Sequence, residues 1–191
     1  MARILIIDGH PSNNRDHYVH ALASAYRSGA ESAHETRRID IAKLDFPILT
    51  DVEEWECNDI PLDIRDAQHK IAWADHIVLV YPLWLGDVPA RLKAFLEQVA
   101  RPDFAIEKRA NGTFKKLLKG KSARIIVTMG MPAAIYRVWF QALSVRSLKR
   151  NILRFMGFNP VRISIIGHIE RSEDYRRKWL KKVERLGNRG R

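Results

Sequence analysis

The sequence predicts an α/β fold: a three-layer sandwich on a parallel five-stranded sheet of order 2-1-3-4-5. Three observations predict it. Short apolar runs recur along the 191 residues, longer amphipathic segments separate them, and the runs differ in how completely apolar they are. The runs are Ile4–Ile7, Ile77–Tyr81, Arg124–Thr128 and Val161–Ile166, with the weaker Thr36–Ile41 after the first. Between them Asp16–Ser28, Leu62–Ala74, Val88–Ala100, about Ile135–Met156 and Ser172–Leu186 read as helices. Such alternation implies a parallel sheet covered on both faces, whose inner strands are continuously apolar.

Element by element, Ile4–Ile7, Ile77–Tyr81 and Ile125–Val127 meet the description of inner strands. Thr36-Arg37-Arg38-Ile39-Asp40 and Val161-Arg162-Ile163-Ser164 are interrupted by polar residues, as edge strands are. Strand two at one edge and strand five at the other give the flavodoxin-like order rather than the longer dinucleotide-binding one. In the third helix Val88, Leu92, Phe95, Leu96 and Val99 share one face, and Gly157 then Pro160 stop the fourth. Ile41–Pro61 and Arg101–Lys119 read as surface excursions. Residues 1–191 are expected to form one domain with a basic C-terminal tail from about 187.

Composition narrows the function classes. With 46% hydrophobic and 29% charged residues the chain has the material for a packed core and is not disordered. Cys57 is the only cysteine, which excludes an internal disulfide or a cysteine-based metal cluster and suits a reducing compartment. No 18 apolar residues run together, and the first apolar run stops at Asp8, so a cytoplasmic protein without a membrane span or bound metal is expected. Lys and Arg total 33 against 22 acids, a net charge of +11 that suggests anionic ligands or surfaces.

In this strand order the ligand site lies outside the carboxyl ends of strands one, three and four. Those ends are Asp8–Asn14, Pro82–Asp87 and Met129–Pro132. Gly120-Lys121-Ser122 is a false P-loop match, because Lys115 stands where its first glycine belongs and a strand follows it. No Gly-x-Gly-x-x-Gly occurs, which argues against a permanently bound nicotinamide dinucleotide, and Tyr81-Pro82 closes strand three where a phosphorylated receiver domain needs an aspartate. Ser12, Asn13 and Asn14 precede a helix whose free N–H groups and dipole favour an anion, with His10 and Arg15 as further donors. For this loop alone, a helix cap with a surface histidine explains the residues equally well. Leu83 and Trp84 beside Gly86 form an apolar shelf for a flat ring; Thr128, Met129, Gly130 and Met131 bring a hydroxyl and backbone N–H groups, and Tyr136 opens the next helix. Convergence of all three on one sheet edge raises the functional reading above any single loop.

Gly9-His10-Pro11, the stretch Tyr81–Phe95 with its Pro-Leu-Trp and Val-Pro-Ala-x-Leu-Lys motifs, Gly120–Ala123, and Thr128–Met131 with Tyr136 together resemble the NAD(P)H:quinone oxidoreductase family. The resemblance runs through Phe158 and Gly167 and covers nearly the whole chain. It implies FAD or FMN as bound flavin, NAD(P)H as co-substrate, a quinone or similar acceptor, and a homodimer with sites at the subunit interface. By resemblance His10 lies near the flavin phosphates, Pro82, Leu83, Trp84 and Leu85 line the isoalloxazine, and Thr128, Gly130 and Met131 hold its polar edge. Tyr136 lies above the ring, where its hydroxyl can assist proton movement. Backbone N–H groups fixed at the end of strand four would stabilise the negative charge a reduced flavin gains. Two positions depart from the family: Arg15 stands where many members have a phosphate-binding serine, and Ala142 and Leu143 where members have a histidine after the tyrosine.

Arg171–Arg191 holds nine Lys and Arg against three acids, more than half of the net charge of +11. Trp179, Leu180, Val183 and Leu186 give that helix an apolar stripe expected to dock on the sheet, leaving a solvated basic face. Arg146, Lys149, Arg150 and Arg154 form a second cluster suited to a 2′-phosphate or an acidic partner. The missing histidine and the basic surface leave an alternative, a flavin-bearing ancillary subunit of a membrane transport system. Nucleic acid is not expected as a partner, since no motif interleaves the basic residues with aromatics.

Overall fold

The structure is a computed structural model that describes residues 1–57, 59–109 and 111–190. Asn58 and Ala110, in the two expected excursions, and Arg191, at the end of the expected tail, lie outside the described residues. The elements run β1 Arg3–Asp8, α1 Tyr18–Glu31, β2 Glu35–Asp40, α2 Val52–Glu56, α3 Leu62–Trp73, β3 His76–Pro82, α4 Ala90–Val99, β4 Ile106–Lys108, β5 Phe114–Lys116, β6 Ser122–Thr128, α5 Ala133–Val138, α6 Leu143–Ser147, α7 Arg154–Met156, β7 Val161–Ile166 and α8 Glu173–Asn188. The main sheet is parallel and five-stranded, in the order β2-β1-β3-β6-β7. That is the predicted 2-1-3-4-5 arrangement. The small antiparallel pair β4–β5 occupies the second excursion, and the short helix α2 lies in the first.

Strand alternation sorts the core into two layers. Leu5, Ile7, Leu79, Tyr81, Ile125 and Val127 face α3, α4 and the α5–α7 side, while Ile4, Ile6, Val78, Val80 and Ile126 face α1 and α8. The α1–α8 contact is unusually close. A Cβ on Gly29 would stand 1.9 Å from the Glu184 carbonyl oxygen, and one on Gly187 would stand 2.1 Å from that of Tyr26, so only glycine permits this approach. The last helix therefore docks backbone-to-backbone on α1, and its apolar stripe packs on the cluster that holds this strand layer, with Val183 buried there and Trp179, Leu180 and Leu186 partly buried against it. It also extends to Asn188, which shortens the expected tail.

The predicted fourth helix, Ile135–Met156, is broken. Gln141 and Ala142 take positive φ values of 50° and 48°, and the chain resumes as α6, a π-helical turn over Leu148–Leu153, and α7. The first helix begins at Tyr18 rather than Asp16, for a reason that lies in the loop before it.

Candidate active site

That loop is built from one repeated device. The side chains of Asp8, His10, Ser12 and Asn14 each accept a hydrogen bond from the backbone amide two residues on, at 3.2, 3.0, 3.1 and 3.1 Å. Polar side chains that close turns on their own backbone compete with helix. Winding is deferred until His17, which caps α1 without a side-chain hydrogen bond. Every second amide is satisfied, and the amides of Asn13 and Arg15 have no protein partner among the described residues. They lie in the turns that lead into a 14-residue helix with no acid in its first turn, whose N-terminus favours an anion.

His10 is 4% exposed, which corrects the surface-histidine alternative. Its Nδ1 accepts the Ser12 amide, so its hydrogen sits on Nε2. Burial, then the neighbouring His17 and His20, hold its pKa below the ordinary histidine value. The His10 ring stacks on His17 with centroids 4.0 Å apart and meets Trp84 edge-on at 5.8 Å. Beneath the loop, the buried Asp8 carboxylate accepts from His20 Nδ1 at 2.6 Å and from Arg38 at 2.8 Å, while His20 Nε2 lies 3.1 Å from the Ser12 carbonyl oxygen. Arg15 pairs with Asp40 at 3.1 Å. Burial opposes ionisation of Asp40, but hydrogen bonds from Arg38 and Arg15 outweigh it and hold that carboxyl below the usual range. Despite the three histidines, no group able to hold a metal ion occurs among the described residues.

The second loop is a tight hairpin. Trp84 and Asp87 exchange both backbone hydrogen bonds at 2.9 Å, and the two residues between them, Leu85 and Gly86, have φ values of 47° and 82°. Positive φ at both central positions is the pattern of a type I′ turn, which glycine adopts freely and leucine at a cost of about 1 kcal/mol. The turn holds Leu85 fully exposed and Trp84 half exposed above the strand end. Pro82 closes β3 inside the sheet, and the Leu83 amide donates to the Thr128 carbonyl at 2.8 Å, which ties loop two to loop three.

In the third loop, Met129 turns into the core and its amide donates to the Ile166 carbonyl, while the amides of Gly130 and Met131 have no protein partner among the described residues. The Thr128 hydroxyl is buried without a hydrogen-bond partner, as is that of Tyr81, whose pKa burial and then Tyr136 and Asp87 push upward. Tyr136 is itself buried, with its hydroxyl 2.7 Å from that of Ser144. Ala142 and Leu143 supply no polar group here; the partner comes one residue later.

A family model described as flavodoxin-like fold matches residues 2–188. The chain belongs to that family. The chain is 32% identical over 181 residues to an uncharacterized NAD(P)H oxidoreductase of Haemophilus influenzae, covering 92% of this chain and 89% of that one. It is 25% identical over 141 residues to an FMN-dependent NADH:quinone oxidoreductase of Coprothermobacter proteolyticus, covering 68% and 69%. The structure of an NAD(P)H:quinone oxidoreductase from Methanothermobacter marburgensis superposes with a TM-score of 0.84 over 98% of both chains at 22% identity. The family resemblance read from the motifs is thus upheld.

Within this flavodoxin-like site the structure brings His10, Ser12, Asn14 and Trp84 together, links Leu83 to Thr128, and directs Arg15 to Asp40. Sequence reasoning missed Asp8, His17, His20, Arg38 and Ser144. For Asp8 a signal existed: hydrogen-bond acceptors occupy every even position from 8 to 14. The cations Arg146, Lys149, Arg150 and Arg154 line a separate groove of about 600 Å³ beside Ile163.

Proposed function

We propose that the protein is a flavin-dependent NAD(P)H dehydrogenase that delivers a hydride to a quinone or similar acceptor, with FMN as its flavin. The observation that carries this reading is the union of an anion-binding loop with an apolar shelf on one sheet edge, made by the His10–Trp84 contact. The residues fit the group at two points: the unpartnered amides of Asn13 and Arg15 suit a phosphate, and the buried, unpartnered Thr128 hydroxyl suits a polar ring edge. When bound, the flavin supplies the hydride chemistry. The chain's part is to hold it: His10 Nε2–H and the loop amides at the phosphate, Pro82, Leu83, Trp84 and Leu85 along the ring, and Gly130 and Met131 amides at its polar edge. Tyr136, backed by Ser144, moves a proton at its hydroxyl. FMN rather than FAD is favoured by the FMN-dependent relative, and relatives named as oxidoreductases favour turnover over an ancillary role.

A homodimer belongs to the same proposal. Ile135, Val138, Trp139, Phe140 and Leu143 are exposed around the segment that carries Tyr136, and a second copy covering them would complete the acceptor side. Among the described residues no helix is long and apolar enough to cross a membrane. The test is the absorption spectrum of the purified protein and the mass of the group it releases on denaturation, followed by NAD(P)H oxidation with a small quinone. Protein that binds neither FMN nor FAD after supplementation overturns the reading.

A further inference from the structure

We infer that Asp8 and His20 form a positioning pair that holds the anion-binding loop in its working shape through a doubly protonated imidazole. The inference rests on the flavin reading for what the loop binds, and on geometry for the rest. His20 is buried, and its two ring nitrogens face a carboxylate oxygen at 2.6 Å and the Ser12 carbonyl oxygen at 3.1 Å. A carbonyl only accepts. The carboxylate oxygen also accepts from Arg38 at 2.8 Å, so it serves as acceptor for the ring too. Both nitrogens donate, and a ring that donates twice is an imidazolium. It would lie close beneath a loop whose amides await an anion.

Ser12 is the residue through which the ring acts. Its carbonyl is held by His20, its amide by His10 Nδ1, and its hydroxyl accepts the Asn14 amide. Loss of the His20 proton removes one donation, and the ring then releases either Ser12 or Asp8. The charged and titratable groups facing His20 are Asp8 on β1, Arg38 on β2 with Asp40 behind it, His10 in the loop, and His17 on the same helix end. Burial first, and then His17 and His20, disfavour protonation of His10.

The experiment compares FMN with riboflavin, which lacks the phosphate, by flavin fluorescence on wild-type and His20→Gln protein across a pH series. Glutamine supplies one donor site where the imidazolium supplies two. The expected result is FMN binding weakened roughly tenfold at the acidic end, the size of one lost charge-assisted hydrogen bond, with riboflavin binding unchanged. The wild-type advantage should shrink as pH rises; taking the ratio of the two proteins cancels the titration of FMN's own phosphate. Nitrogen-15 spectra of the wild-type protein, which need no variant, should show both His20 ring nitrogens protonated where FMN binds best. Equal FMN affinity in the two proteins, an equal loss for riboflavin, or a neutral His20 ring throughout would overturn the pair's role. Wild-type protein that binds no FMN at any pH instead overturns the flavin reading, and the ring spectra then decide the His20 assignment alone.

Discussion

Between Asp8 and His17 the backbone is tied to its own side chains at every second amide, and His10 and His20 are buried. Between Ile135 and Leu143 it turns through two left-handed residues, and Val138 and Trp139 are each 81% exposed. Both segments border the same sheet edge. The first is held from within the chain, with the amides of Asn13 and Arg15 left without a partner among the described residues. In the second, the tyrosine's hydroxyl is tied to Ser144, and a patch of apolar side chains is left uncovered. The difference is one of completeness: the first loop is shaped by hydrogen bonds within the chain, whereas α5 and α6 leave apolar side chains exposed.

The strongest way to break that contrast is Asp8→Ala. It leaves the buried His20 without its carboxylate and Arg38 with Asp40 as its remaining partner, and removing one partner of a buried charge pair costs about 3–5 kcal/mol. Urea unfolding should show a loss of that size, and an unchanged midpoint would mean the loop is not anchored from below. Tyr136→Phe tests the other segment. General acid–base assistance is worth roughly 10²–10⁴-fold, so NAD(P)H:quinone turnover should fall by at least the lower figure while flavin content stays intact. Trp139→Glu addresses the uncovered patch. An aromatic anchor at an interface centre is worth about 2 kcal/mol or more, and light scattering after size exclusion should show the proposed dimer giving way to monomer without loss of thermal stability.

Acidity offers a smaller effect, confined to the first segment. The folded-state pKa of His10 is lowered, so the unfolded chain binds the proton more readily. Its contribution to stability is present above the unfolded value of about 6.5 and is lost as pH falls toward the folded one. The melting temperature should drop on acidification through that window, and His10→Gln should flatten the drop. Least of all is expected from Arg15→Ala. Its pair with Asp40 is half exposed, worth about 0–1 kcal/mol, so both stability and FMN affinity should barely move. A tenfold loss of FMN affinity would show that Arg15 leaves Asp40 for the phosphate.

Much of the scaffold was legible because its signals are local. Continuous apolarity marked β1, β3 and β6, and the polar interruptions in β2 and β7 placed them at the edges. The three loops followed from strand order. What was illegible depended on tertiary contact. Gln141-Ala142 looks like helix, since alanine is the best helix former, and nothing nearby announces the left-handed turn that sets Ser144 beside Tyr136. Arg38 and Asp8 are 30 residues apart and meet only because β1 and β2 are neighbours. Ser12-Asn13-Asn14 read as a helix cap because capping and side-chain turns use the same residue types.

The two-residue spacing of acceptors in the first loop also fixes how its length can vary. Each bond joins a side chain to the amide two residues on, so a single inserted or deleted residue breaks only the link that spans it. Two residues added as one further acceptor and its spacer would instead lengthen the run by a link and break none. Growth by whole acceptor–spacer units is therefore the change this segment should tolerate best.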